Sequence, residues 1–204
     1  NENMVGAFMY VPGTMALILM LISAMMTSIT IAREKEMGTM EILLVSPLKA
    51  IHIVLGKVAP YLLLSLIDAI VIILLGNVVF DVPIRGSLVI LMALVIIYIM
   101  MALSLGILIS TIANSQQVAM FISGFALLLP TMLLSGFIFP IENMPYVLQL
   151  VSNIMPARWF IDALKQVMLK GTGLFFIWKQ VLILLVMTAF FLGLSVKKFK
   201  LRLE

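Results

Sequence analysis

Residues 11–32 (VPGTMALILMLISAMMTSITIA) carry no charged side chain, over a stretch as long as the roughly 20 apolar residues an α-helix needs to cross a bilayer. Similar runs follow at 58–80, 88–113, 118–139 and 174–196, interrupted only by Asp68 in the second and Lys179 in the last. Lipid offers no water to hydrogen-bond a peptide group, so each run is expected to be helical. The chain therefore reads as an all-α membrane protein with five transmembrane helices. Composition agrees: 64% of residues are hydrophobic and 11% charged, against about 25% charged in soluble domains. The net charge of +4 comes from basic residues scattered at the ends of apolar runs, which is no nucleic-acid-binding face. The expected environment is lipid, with no nucleic-acid partner. Cysteine is absent, which removes disulfides, thiolate metal sites and cysteine nucleophiles.

The connecting segments differ in character. Residues 81–87 and 114–117 are short polar turns. Residues 33–47 (REKEMGTMEILLVSP) combine Glu34, Glu36 and Glu41 with Met37, Met40 and Leu44 at helical spacing, punctuated by Gly38 and Pro47. This predicts a short amphipathic helix lying on the membrane face. Residues 141–173 are too polar to span, yet hold two apolar stripes: Val147, Leu150, Val151 and Ile154, then Phe160, Ala163, Leu164, Val167 and Met168. Pro145 and Pro156 mark the starts of two short interfacial helices. Trp159, Tyr146 and Trp178 suit a membrane interface. With five spans, Arg33, Lys35, Lys49, Lys57, Lys197, Lys198, Lys200 and Arg202 share one side, and Arg85, Arg158, Lys165, Lys170 and Lys179 the other. The richer side is cytoplasmic by the positive-inside rule. That places 33–47 and the C-terminus in the cytoplasm and 141–173 outside. Residues 1–10 read as the tail of a missing upstream part.

Candidate chemistry is sparse. The sequence holds no G-x-x-x-x-G-K-[ST] phosphate loop, no H-E-x-x-H and no G-x-S-x-G. No catalytic, metal-ligating or cofactor-binding residues are expected. His52, the one histidine, falls in a membrane-surface stretch. Asp68 is the one acid inside a span, and such carboxylates are costly and often functional. It either faces the bundle or a partner, near Ser65, or carries ions, which would make the chain an ion-coupled secondary transporter or channel. Gly124 and Gly136, with Ser123, Ser135 and Ala126, offer small surfaces for close helix packing. Pro130 interrupts the fourth span and is expected to kink it, and Pro140 to end it. The many methionines suit an adaptable apolar lining. A non-transporting membrane scaffold is the third reading these features allow.

The ordered motifs narrow the choice. AREKEMGTMEILLVSPLKAIHIVLGK (32–57) resembles the signature of permease subunits of type-2 ABC exporters, in Glu34, Glu36, Gly38, Thr39, Glu41, Ser46, Pro47, Leu55, Gly56 and Lys57. ISTIANSQQVAM, LLPTMLLSGFIFPIENMP and PARWF are similar to the family in the same order. The resemblance implies a permease that pairs with a second permease half and with ATP-binding subunits, which carry the ATP and magnesium. Residues 33–47 would be the cytoplasmic coupling helix that docks on the ATPase through Glu34, Glu36, Met37, Gly38, Met40 and Glu41. Residues 141–173 would be the external re-entrant helices, with Pro130, Gly136, Pro140 and Pro156 as their kink and re-entry points. Family members have six spans, and the multidrug-efflux branch carries a large external domain after the first. The chain thus looks like the C-terminal part of a cell inner-membrane permease exporting an amphiphilic or drug-like substrate.

Overall fold

A computed structural model describes residues 2–39 and 50–200. Its helices are α1 (Glu2–Met20), α2 (Met26–Glu36), α3 (Ala50–Val78), α4 (Leu88–Ile112), α5 (Gln116–Ser123), α6 (Leu129–Leu134), α7 (Tyr146–Ser152), α8 (Pro156–Lys170) and α9 (Leu174–Lys200). A π-helical turn, Leu21–Met25, joins α1 to α2, and a second, Gly124–Leu128, joins α5 to α6. Five helical stretches are long and apolar enough to span: Tyr10–Glu36, Gly56–Val78, Leu88–Ile112, Gln116–Leu134 and Leu174–Ser195. No strand occurs among the described residues.

The first and third spans form the centre, being 56% and 50% buried, whereas each of the others is 22% buried and turns most of its apolar surface outward. Gly106 explains the close central approach: a Cβ there would lie 2.4 Å from the Ala24 carbonyl oxygen. Without a hydrophobic drive between helices in lipid, small residues that let backbones meet are a main source of packing energy.

The 141–173 segment folds deeper than its sequence predicts. The second stripe is found on α8, where Phe160, Ala163, Leu164, Val167 and Met168 are all fully buried. Helix α8 packs against α1, α4 and α9, inside one end of the bundle. Phe160 stacks on Tyr98 at a centroid distance of 3.9 Å, and the Tyr98 hydroxyl donates to the Ala16 carbonyl at 3.0 Å. The first stripe differs, for Val147, Leu150 and Val151 on α7 and Ile154 just beyond it are exposed.

The fourth span ends earlier than the apolar run predicts, at Leu134. Gly136 adopts φ +79°, a left-handed conformation open to glycine at little cost, and turns the chain. Phe137 then packs edge-on against Tyr10 at 6.0 Å. The apolar character of 135–139 serves a return loop against the first span, not further helix.

Loop contacts sort the two ends. Arg85 N donates to the Met168 carbonyl at 3.0 Å, joining the second-to-third loop to α8. At the opposite end, Glu36 reaches the start of the fourth span. The connections thus alternate from end to end, as an up-and-down path requires. In this cysteine-free chain, single cysteines in Thr39→Cys and Asn153→Cys, both exposed positions, should label from opposite membrane faces. Phe160→Ala should cost about 3 kcal/mol of stability, measurable by thermal denaturation in detergent.

Candidate functional site: the clasped end of the first span

The helix that forms the first span does not stop where its apolar run does. It continues through Arg33–Glu36 and closes with Gly38 at φ +70°. Gly38 N donates to the Lys35 carbonyl at 3.2 Å and Met37 N to the Arg33 carbonyl at 2.9 Å, a glycine-terminated helix end. Glu34 and Glu36 therefore stand on the last turn of the span helix, ahead of any surface helix. Met37, 62% exposed, and Gly38 form the turn beyond it. Met40 and Glu41 lie outside the described residues.

Each glutamate reaches another span. Glu34 forms an ion pair with Lys57 at the start of the second span. Glu36 Oε2 accepts from the backbone N of Gln116 at 2.9 Å and from its Nε2 at 3.3 Å. Gln116 opens α5, so this carboxylate sits at a helix N-terminus, where unpaired N–H groups and the helix dipole favour an anion. Ser115 adds a side-chain cap to Val118 N at 3.3 Å. Lys35 Nζ donates to the Ser110 carbonyl near the end of the third span. One helical turn, 33–36, thus grips three other spans. Sequence spacing picked out the glutamates, but the partners lie 23 and 80 residues away along the chain, beyond any periodicity argument.

The grip continues into the bundle through hydroxyl pairs. Ser28 Oγ and Ser123 Oγ are 2.7 Å apart, as are Ser23 Oγ and Ser65 Oγ, and Thr30 Oγ1 meets Tyr61 Oη at 2.5 Å. Thr131 Oγ1 donates to Met20 Sδ at 3.3 Å. Ser23 lies within one π turn, Ser123 abuts the other, and the two π turns touch. Pro130 follows the second π turn; its ring nitrogen donates no hydrogen bond to the preceding turn, which accounts for an irregular ladder there. π turns of this kind recur at functional sites.

The remaining candidates are dispersed. Asp68 is half-buried on the helix face that carries Leu64, Val71 and Leu75, all exposed. The Ser65 hydroxyl is taken by Ser23, and no hydrogen bond or ion pair to Asp68 occurs among the described residues. Pro130 and Pro140 line an apolar cavity of about 600 Å³ with Leu133, Phe139, Asn143 and Leu148, between α6 and the 139–148 loop. Gly136 makes the turn beside it. Pro156 is buried at the first turn of α8, where a missing N–H costs little.

Comparison with known proteins settles the family. Residues 1–197 match the ABC-2 family transporter protein. The chain belongs to that family. It is 38% identical over 93% of its length to the probable multidrug ABC transporter permease YbhR of Escherichia coli, and 36% identical over its whole length to YbhS, a second probable multidrug permease of that organism. A more distant relative, ABC transporter G family member 20 of Dictyostelium discoideum, is 28% identical over 91% of the chain and 26% of its own length. This ABC-2 chain spans about half the length of the bacterial relatives, 51% of YbhR and 54% of YbhS. No solved structure matches it.

In the ABC-2 chain the clasp should show as coupled energetics. Glu34→Gln and Lys57→Gln should each lower stability by about 1 kcal/mol, with a double variant no worse than either single. Glu36→Gln should cost a similar amount through the α5 terminus. A double-mutant cycle followed by thermal melting measures both.

Proposed function

We propose that the chain is the membrane-spanning part of the permease subunit of an ATP-driven exporter. It moves an amphiphilic or drug-like substrate out of the cytoplasm or inner leaflet, and a separate subunit binds and hydrolyses ATP with magnesium. The single observation that carries the mechanism is the clasp: the turn that ends the first span hangs from a helix bonded to the second, third and fourth spans.

On this reading the ATPase docks on the cytoplasmic segment that starts at Met37 and Gly38 and continues through Met40 and Glu41. Glu34 and Glu36 act one step behind, passing displacement of that segment to the spans. The exposed Met37 suits an apolar socket on the partner, and Glu41 a basic one. The names of YbhR and YbhS favour a multidrug substrate, and the apolar cavity beside Pro130 fits the tail of an amphiphile. The outward apolar faces of the second, fourth and fifth spans, and the half-buried Asp68 on one of them, support contact with further transmembrane segments: a second permease half, identical or not, and the upstream span of a longer parent. The C-terminus lies on the cytoplasmic side in this arrangement, in a cell inner membrane.

Co-purification of the protein with its ATP-binding subunit tests the assignment. Met37→Asp and Glu41→Lys should each reduce the recovered ATPase about tenfold, the loss expected from removing about 1.4 kcal/mol of binding. The Glu34→Gln/Glu36→Gln pair should retain the ATPase but lose stimulation of its hydrolysis by substrate. Retention of full ATPase binding by Glu41→Lys and Met37→Asp would refute the docking face. An ATPase missing from the wild type as well would return Asp68 and an ion-driven mechanism to the front.

A further inference from the structure

The outward face of α8 carries charge that the export mechanism does not use. Arg158, Asp162 and Lys165 follow one another at helical spacing of four and three, and Lys179 approaches from the first turns of α9. The Arg158 guanidinium carbon lies 5.3 Å from the Trp159 ring centroid and Lys179 Nζ 5.9 Å from it, so two cations gather at one indole ring. The ring is held in place, because Trp159 Nε1 donates to the Asn153 carbonyl at 2.9 Å. Arg158 is anchored too, by Nη1 bonds to the Gln149 carbonyl at 3.1 Å and to Ser152 Oγ at 2.5 Å.

The local acid does not neutralise this group. Asp162 Oδ2 accepts from Gln180 Nε2 at 2.6 Å and from Gln166 Nε2 at 3.2 Å. Among the described residues no ion pair joins it to Arg158, Lys165 or Lys179. Burial lowers the proton affinity of Arg158 and Lys165, and the nearby Asp162 offsets it only in part. Asp162 keeps its single negative charge while it accepts from the two amides, so it offsets one of the three cations of this face and leaves two without a counter-charge. An anion is the missing complement.

Its height in the membrane indicates which anion. Lys179 lies in the first turns of the fifth span, beside Trp178, which is 60% exposed. Tryptophan and cationic side chains at a span's end mark the headgroup layer. We propose that Arg158, Lys165 and Lys179 bind the phosphate of an anionic phospholipid headgroup, with the Trp159 ring as the wall of the site. Each cation near a charged membrane surface contributes about 1 kcal/mol, so with one of the three offset by Asp162 the site should prefer an anionic lipid over a zwitterionic one by about thirtyfold.

Trp159 is a built-in reporter, since Trp178→Phe leaves it as the single tryptophan of the two. In that background, purified protein is titrated with short-chain phosphatidylglycerol, short-chain phosphatidylcholine and inorganic phosphate while Trp159 emission is followed. A saturable change with phosphatidylglycerol, half-complete at about one thirtieth of the phosphatidylcholine concentration, is the expected result. Its half-point should rise about fivefold in Lys179→Gln and stay put in Lys179→Arg, with the melting temperature of both variants unchanged. Equal responses to the two lipids, or a half-point that Lys179→Gln leaves unmoved, would overturn the site. Inorganic phosphate acting at the same concentration as phosphatidylglycerol would overturn the lipid assignment and leave a small-anion site.

Discussion

A peptide group in hydrocarbon has no water to bond, and this constraint shapes each part of the bundle. It makes the five apolar runs helical and confines irregular backbone to places where protein covers it. The first π turn, with Ser23 and Ala24 buried, is such a place, and the second turns Leu127 toward the protein while Phe125 faces outward. They lie where the first and fourth spans meet, and serine and threonine hydroxyls from both helices surround them. Ser28 with Ser123, and Ser23 with Ser65, satisfy each other at 2.7 Å. Each such bond contributes on the order of 0.6 kcal/mol in membranes, so none fixes the fold singly. Their placement matters more, because they specify which faces of the first, second and fourth spans meet.

The ends of the bundle are held by different physics. At the α8 end the contacts are apolar and interdigitated, with Phe160 stacked on Tyr98 and the α8 stripe buried among three helices. Interiors packed in this way resist continuous deformation. At the other end a small buried seam of Ala32, Ala113 and Ala119 is rimmed by polar contacts: an ion pair, a carboxylate on a helix terminus and a lysine on a carbonyl. Such contacts have modest energies where water and salt reach them. Under the exporter reading, the polar rim at this end is where force from an aqueous partner would enter, against the packed apolar end.

Much of the fold could be read from residues. The apolar runs place the five spans, and the stripe from Phe160 to Met168 marks α8 as amphipathic. The depth of α8 could not be read, because a stripe says which side is buried and not what buries it; that depends on Gly86, Ala16 and Tyr98 elsewhere in the chain. The fourth span shows the opposite failure. Residues 135–139 are as apolar as the helix before them, and hydropathy alone cannot distinguish a membrane helix from a loop packed on Tyr10. The glutamates of 33–36 stood out by charge, yet Lys57 and Gln116 as their partners follow only from tertiary structure. The patch on α8 was hidden for a related reason: Lys179 on another helix joins Arg158 at the Trp159 ring only in the tertiary structure.

The first span links the clasp to the rest. It is bonded to its neighbours at Glu34 and Glu36, at the hydroxyl pairs near its middle, and at Ala16 and Tyr10 toward its far end. A rigid helix so tied would move only with the whole bundle. The π turn at Leu21–Met25 relieves this, because it carries an i+5 bond register between two α-helical stretches. Its Ala24 backbone is seated against Gly106 of the third span, and α1 beyond it is held by Tyr98 and Phe137. The touching π turn of the fourth span lies next to Pro130 and the apolar cavity. Under the exporter reading, motion entering at Met37 would reach the cavity wall through two adjoining irregular turns, while the Tyr98–Phe160 stack remains the fixed point against which they move.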